Sequence, residues 1–295
     1  MTMDWEGADL DPDSLDALKT FRAGLPGVPM TFFISAAYFT KADPDPDALD
    51  VIRGVVNTGD EIAVHLHAWQ SLAKAAGVEP KPGPSFLTGT DQLLPFPDGD
   101  VGFDTDLDAY DVPSLRAMIA TTRGLLEKTK LPVSTSFRAG GYIGTPKVLQ
   151  AIYDEGFTVD SSATDPHELH VDGADFLSKR LSTVWPSVTM TSQPFMIHAR
   201  ARDMLEMPIA AIADYTTSAK VAHVFDAAHA QLEKVPNRDV FVVLVFHLET
   251  ATDFAAMLGA TVMTVRARPD LGHELTFVTM QNAAARAGAQ LASAR

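Results

Sequence analysis

The chain contains no cysteine in its 295 residues. Disulfides and thiolate metal sites are excluded, so any metal must be held by His, Asp or Glu. Basic residues are scarce, with 23 Lys and Arg against 38 Asp and Glu and a net charge of −15. A nucleic acid or an anionic membrane surface needs a basic face on its partner, so neither is expected here. Long hydrophobic runs are missing too. The most apolar segment, Val240 to Leu248, is far short of the roughly 20 residues that span a bilayer. The opening residues, Met1 to Glu6, show neither the basic start nor the apolar stretch of a secretory signal. The expectation is a cytoplasmic protein with no membrane span.

What the chain does have is 46% hydrophobic residues, enough for a sizeable core, arranged as short apolar runs alternating with amphipathic stretches. Pro29–Ser35, Glu61–Leu66, Val133–Arg138, Gly156–Asp160, Met204–Ile209, Val240–Phe246 and Leu275–Thr279 read as strands. Met1–Met3 reads as a short first strand. Helices are expected over Pro12–Ala23, Asp45–Thr58 with Gly59 as its C-cap, Val112–Lys130, Thr145–Glu155, Ala219–Val235, Thr252–Arg266 and Gln281–Ala292. Strand and helix in alternation predict an α/β protein with a parallel sheet, and about seven such units suit a barrel better than an open sheet. No linker or repeat divides the chain, so residues 1–295 read as one domain. A Pro-, Gly- and Asp-rich interval at about 71–111 breaks the rhythm and reads as a long insertion over one end of the sheet.

Polar groups cluster where predicted strands end, which is where parallel α/β folds carry function. Asp4 and Glu6 stand two apart, so both face one side; a solvated acidic turn is the plainer reading. His65 and His67 end an apolar strand at the same spacing and can share one divalent ion. Arg138 closes another strand before Gly140 and Gly141, with Tyr142 next. Asp160 to Ser162 follow a fourth strand, as functional groups or as an Asx-turn. His247 emerges from the buried run 240–246, either as a proton donor or as a satisfied core histidine. Trp69, Tyr142 and Trp185 are candidates to stack on a ring, though large aromatics are more often core. His167 and His170 could line a cleft or sit on an exposed loop. Together these residues supply what metal-assisted hydrolysis needs: ligands, a base, an orienting cation and an acid.

The order Asp4-Trp5-Glu6, His65-Leu66-His67-Ala68-Trp69, Phe137 to Gly140, Asp160 to Ser162 and Phe246-His247 resembles the polysaccharide deacetylase family, the NodB-type carbohydrate esterases. It is most similar to a bacterial subgroup linked to surface-polysaccharide and O-antigen biosynthesis. The resemblance covers nearly the whole chain and implies a distorted (β/α) barrel, often of seven strands, with one divalent metal ion, usually zinc. It implies Asp4 as base, Arg138 as the residue that holds it, His247 as general acid, and Glu6, His65 and His67 as ligands. Trp69, Tyr142 and Asp160 are the expected substrate contacts. The substrate implied is an N-acetylated amino sugar, or its nucleotide- or lipid-linked precursor. Two positions depart from the commoner family pattern: Trp69 stands where a second histidine is usual, and Glu6 where an aspartate is usual. Two rivals remain at this stage. One is an amidohydrolase-type barrel acting on a small amide. The other is a metal-free barrel that binds a glycan or a partner protein.

Overall fold

A computed structural model describes residues 1–169, 175–198, 203–235, 237–271 and 275–293. The chain alternates β1 (Thr2–Trp5), α1 (Pro12–Gly24), β2 (Thr31–Ile34), α2 (Ala48–Val55), β3 (Glu61–Leu66), α3 (Gln70–Ala75), α4 (Val112–Leu126), β4 (Val133–Ala139) and α5 (Pro146–Asp154). It continues with β5 (Val159–Asp160), α6 (Asp175–Val184), β6 (Phe195–His198), β7 (Asp203–Glu206), β8 (Ile209–Ile212), α7 (Ser218–Lys234), β9 (Val243–His247), α8 (Ala251–Arg266) and α9 (Met280–Ser293). The strands form one sheet in the order β6-β7-β5-β4-β3-β2-β1-β9-β8. All pairings are parallel except β6 with β7. This is the expected curled (β/α) barrel, with nine strands among the described residues rather than about seven.

Closure comes from one stretch of chain. β7 pairs with β5 near one end of the order, and β8 pairs with β9 at the other. Only Met207 and Pro208 separate them. Three residue steps reach about 10 Å at most, so the two ends of the sheet must curl together. The Met207 N–H donates to the Asp160 carbonyl (2.8 Å) and the Ile209 N–H to the Ala163 carbonyl (2.8 Å), which stitches the seam. Pro208 has no N–H for a ladder and marks the bend. The single strand expected over Met204–Ile209 is therefore two, and the second runs on to Ile212.

Strand alternation decides what faces inward. Met3, Trp5, Phe32, Ile34, Val64, Leu66, Phe137 and Phe246 pack outward against the helices in one buried cluster. Phe33, Ala63, Val243 and Val245 belong to a second. Apolar residues thus fill both faces, as a parallel sheet requires, and fully burying each such side chain contributes roughly 1.5–3 kcal/mol. The inner face also carries Asp4, His65, Arg138 and His247, in register: Asp4 opposite His247, and His65 opposite Arg138.

Several expectations shift at element ends. The helix expected over Asp45–Thr58 spans only Ala48–Val55, so Gly59 caps nothing. Leu275–Thr279 is not a strand. It leads into α9, whose first N–H groups are taken by inner-face side chains at the barrel's N-terminal end: Met280 donates to Thr31 Oγ1 (2.8 Å) and Gln281 to Glu61 Oε2 (2.9 Å). A carboxylate at a helix N-terminus is well placed electrostatically. The 71–111 insertion begins inside α3 and crosses the C-terminal rim. It is anchored by Gln70 N–H to the Val101 carbonyl (2.8 Å) and by Arg180 of α6 to Asp106 (2.7 Å). No described helix is long and apolar enough to cross a membrane.

Candidate active site

Asp4, Glu6, His65, His67, Arg138 and His247 converge at the C-terminal end of the barrel. β1 carries Asp4 and the loop after it Glu6, β3 and its continuation carry His65 and His67, β4 carries Arg138, and β9 ends in His247. Asp4 and Arg138 are fully buried. Arg138 Nη1 donates to Asp4 Oδ1 at 2.6 Å, and its other bonds go to Thr2 Oγ1 (3.0 Å), the Ser161 carbonyl (2.8 Å) and Ser161 Oγ (2.9 Å). The guanidinium lies over the Phe33 ring, 4.1 Å from its centroid. Losing one partner of such a dry pair costs about 3–5 kcal/mol. Asp4 Oδ2 is buried with no hydrogen-bond partner and lies 3.9 Å from His247 Nε2. One oxygen is pinned and the other is left to act.

His65 and His67 are oriented from behind. His65 Nδ1 lies 2.9 Å from the Arg138 carbonyl, and His67 Nδ1 lies 2.6 Å from the Phe103 carbonyl in the insertion. A carbonyl can only accept, so each Nδ1 bears the hydrogen and each Nε2 faces the site. The two Nε2 atoms are 3.1 Å apart. His65 Nε2 is 3.4 Å from Glu6 Oε1, and His67 Nε2 contacts Glu6 Oε2. Glu6, His65 and His67 thus offer three ligand atoms within 4.8 Å of one another. Two imidazole nitrogens aimed at one point beside a carboxylate form a donor set that suits zinc or a similar ion. Burial works against charge on Glu6, but His67 and His65 outweigh it and hold its carboxyl well below the usual range. Burial likewise opposes charge on His65, and Glu6 outweighs it and pushes the imidazole up. That negative potential attracts a divalent cation as it attracts protons.

The insertion builds this half of the site. The Phe103 ring stacks on His67 at 4.4 Å and 9°, and Phe86 packs at 6.0 Å. Gly140 lets the next turn approach closely: a Cβ there would sit 2.6 Å from the Leu66 carbonyl and 2.7 Å from His67 Nδ1.

His247 stands opposite. Its Nδ1 is 2.9 Å from Asp214 Oδ2, and its Nε2 is 3.0 Å from the Tyr142 hydroxyl and 3.3 Å from Glu6 Oε1. Asp214 follows β8 and also accepts from Thr250 Oγ1. Burial lowers the His247 imidazole, but the negative charges of Asp214, Glu6 and Asp4 prevail and push it up to about 10. Nδ1–H is held by a carboxylate and Nε2 faces the reacting space, the arrangement of a general acid. Asp4, Glu6 and His247 also lie close enough to share an ion. Arg138 on Asp4 puts a fixed positive charge there instead, which argues against the two-metal centre of an amidohydrolase.

Three expected substrate contacts fall in different places. Tyr142 is in the site, with its backbone at φ +62° and its hydroxyl on His247. Trp69 is fully buried: its indole N–H donates to the Glu6 carbonyl (2.8 Å) and its ring packs on Phe96, Phe103 and the Lys41 ammonium. It supports the loop bearing Glu6 and offers no face to a sugar. Asp160 is also fully buried, paired across strands with Glu206, and reaches no open space. Trp185 is core as well, donating to the Tyr142 carbonyl (2.9 Å). His167 is exposed, and His170 lies outside the described residues.

Sequence reasoning missed Asp214 and Glu249. Glu249 accepts from the Glu6 N–H (3.1 Å) and the Tyr38 hydroxyl (2.8 Å), clamping the Glu6 loop. Burial, then Glu6, pushes its carboxyl up to about 7.

The fold is the one found in polysaccharide deacetylases of the NodB type. A candidate polysaccharide deacetylase from Mycobacterium smegmatis superposes with a TM-score of 0.53 over 95% of this chain and 77% of its own, at 16% identity. A 4-alpha-glucanotransferase from Thermococcus litoralis gives 0.51 over 96% of this chain and 37% of its own, at 9% identity. No family model matches the sequence, and the comparison with curated proteins found no match. One fold serving a deacetylase-type and a glucanotransferase structure shows that the architecture does not choose the chemistry. The site must.

Proposed function

We propose that this protein is a metal-dependent deacylase that removes an N-acyl group, in the first place N-acetyl, from an amino sugar or from a nucleotide- or lipid-linked sugar precursor of a surface polysaccharide. One observation carries the reading: the Arg138-pinned Asp4 and the Asp214-held His247 flank the Glu6–His65–His67 ligand set. Glu6, His65 and His67 would hold a divalent metal, zinc by donor type, which when bound would polarise the acyl carbonyl and lower the pKa of the attacking water.

Asp4 Oδ2 takes the proton from water as it attacks, while Arg138 keeps Oδ1 still. Oxyanion donors are sought in the backbone N–H groups of the turn after Arg138. His247 Nε2 delivers its proton to the nitrogen, which would otherwise be too basic to leave, and Asp214 stabilises the imidazolium until then. The Tyr142 hydroxyl, beside His247 Nε2, marks where the leaving nitrogen must come. The products are a carboxylate and a free amino sugar.

The test is metal content of purified protein, in wild type and in His65→Ala and His67→Ala, followed by acetate release from N-acetylated nucleotide sugars. About one equivalent of metal, lost in both variants, with acetate released by wild type, is the expected result. No binding after incubation with zinc, cobalt, nickel or iron(II) refutes the mechanism and favours a metal-free binding module.

A further inference from the structure

The mechanism above makes no use of Asp160 and Glu206. They stand opposite each other on β5 and β7, both fully buried. Asp160 Oδ1 accepts from Ser162 Oγ (2.7 Å), and Glu206 Oε1 accepts from the Ala163 N–H (2.9 Å). Asp160 Oδ2 and Glu206 Oε2 are buried and have no donor. A charged carboxylate only accepts, and two of them facing each other in a dry interior repel. One proton between them satisfies both orphaned oxygens and removes the repulsion.

We propose that Asp160 and Glu206 share one proton, and that the singly charged pair positions Arg138 and the turn from Ala139 to Gly144 for catalysis. The positioning half rests on the deacylase reading; the shared proton does not. The Ser162 hydroxyl that Asp160 fixes also accepts from the Ala139 N–H (2.9 Å), and Ser161 between them supplies two of Arg138's acceptors. At the far end of the turn, a Cβ on Gly144 would come within 3.3 Å of Asp160 Oδ2. The pair is thus a floor under the segment that carries Arg138 and Tyr142.

The charge balance follows. Arg138, from β4, is the cation acting on both carboxyls, and Asp4, from β1, holds its other side. Burial pushes the Asp160 carboxyl up; burial and then the Asp160 charge push Glu206 well above the usual range. A doubly charged pair would compete with Asp4 for the guanidinium. A singly charged pair leaves Arg138 committed to Asp4.

Glu206→Gln tests this, because its amide permanently supplies the hydrogen that the proton supplies. Difference infrared spectroscopy at pH 8, where Glu249 is mostly ionised, should show the C=O stretch of a protonated carboxylic acid in wild type and not in E206Q. With acetate release as the assay, E206Q should stay close to wild type. Glu206→Ala should lose about 100-fold in kcat, with KM and metal content little changed, as misplacement of catalytic groups does. Absence of the infrared band in wild type overturns the shared proton, and E206Q as impaired as E206A overturns the positioning role. If E206A does not fold, the band and E206Q decide alone. If no form releases acetate, the positioning role falls with the deacylase reading, while the band still decides the proton.

Discussion

Replacing Asp214 with asparagine keeps the shape of the His247 support and removes its charge. The His247 imidazole moves from 6.5 to about 10 in the folded protein. At 1.36 kcal/mol per unit that is roughly 5 kcal/mol favouring the imidazolium, an order-of-magnitude figure shared among Asp214, Glu6 and Asp4. One adjacent carboxylate accounts for about 1–3 units of such a shift. The folded-state value is raised, so the stabilisation is complete below about 6.5 and is lost as pH rises through about 10. In Asp214→Asn the loss should be complete one to three units lower. The acid would then be depleted at pH 8 to 9, where wild type retains it. The assay is kcat/KM for acetate release across pH 6 to 10, with thermal melts over the same range. An alkaline limb displaced downward, with near-normal activity at pH 6, is expected. A uniform fall at every pH with the limb unmoved would refute the assignment of His247 as an acid tuned by Asp214.

Gly140→Ala places a methyl group against the Leu66 carbonyl and His67 Nδ1. It should cost about 1–3 kcal/mol in stability and lower metal stoichiometry, read by melting temperature and metal analysis. Trp69→Phe leaves the buried Glu6 carbonyl without its donor. It should cost about 1–3 kcal/mol with KM unchanged; a selective rise in KM with an unchanged melt would restore Trp69 to sugar contact. Arg138→Lys keeps a charge but not the four-way fork, and kcat should fall far more than KM changes, since the two cations are not interchangeable at such a site.

Period-two alternation made the inner face readable in advance: Asp4, His65, Arg138 and His247 were found because each closes an apolar strand. Asp214 was missed for a definite reason. The strand is expected from its pattern to stop at Ile209, but it resumes to Ile212, and the carboxylate stands two residues past that true end. A sequence shows that Trp69 is an aromatic near a site but not that its face packs on Lys41, Phe96 and Phe103. The antiparallel β6 and the unpaired 275–279 segment depend on tertiary pairing, which local pattern does not encode. The carbonyl of Phe103 that orients His67 is backbone, and no residue type announces it.

The position of β1 has a consequence for how the chain reaches this state. β1 is held between β2 and β9, and Asp4 pairs in register with His247. The first strand made therefore waits for the last of the described strands before its second edge is covered. Such distant pairing slows folding and leaves an unpaired edge exposed during synthesis. Catalytic competence cannot precede completion of the sheet: a chain released before β9 has its ligand set but not the acid opposite it.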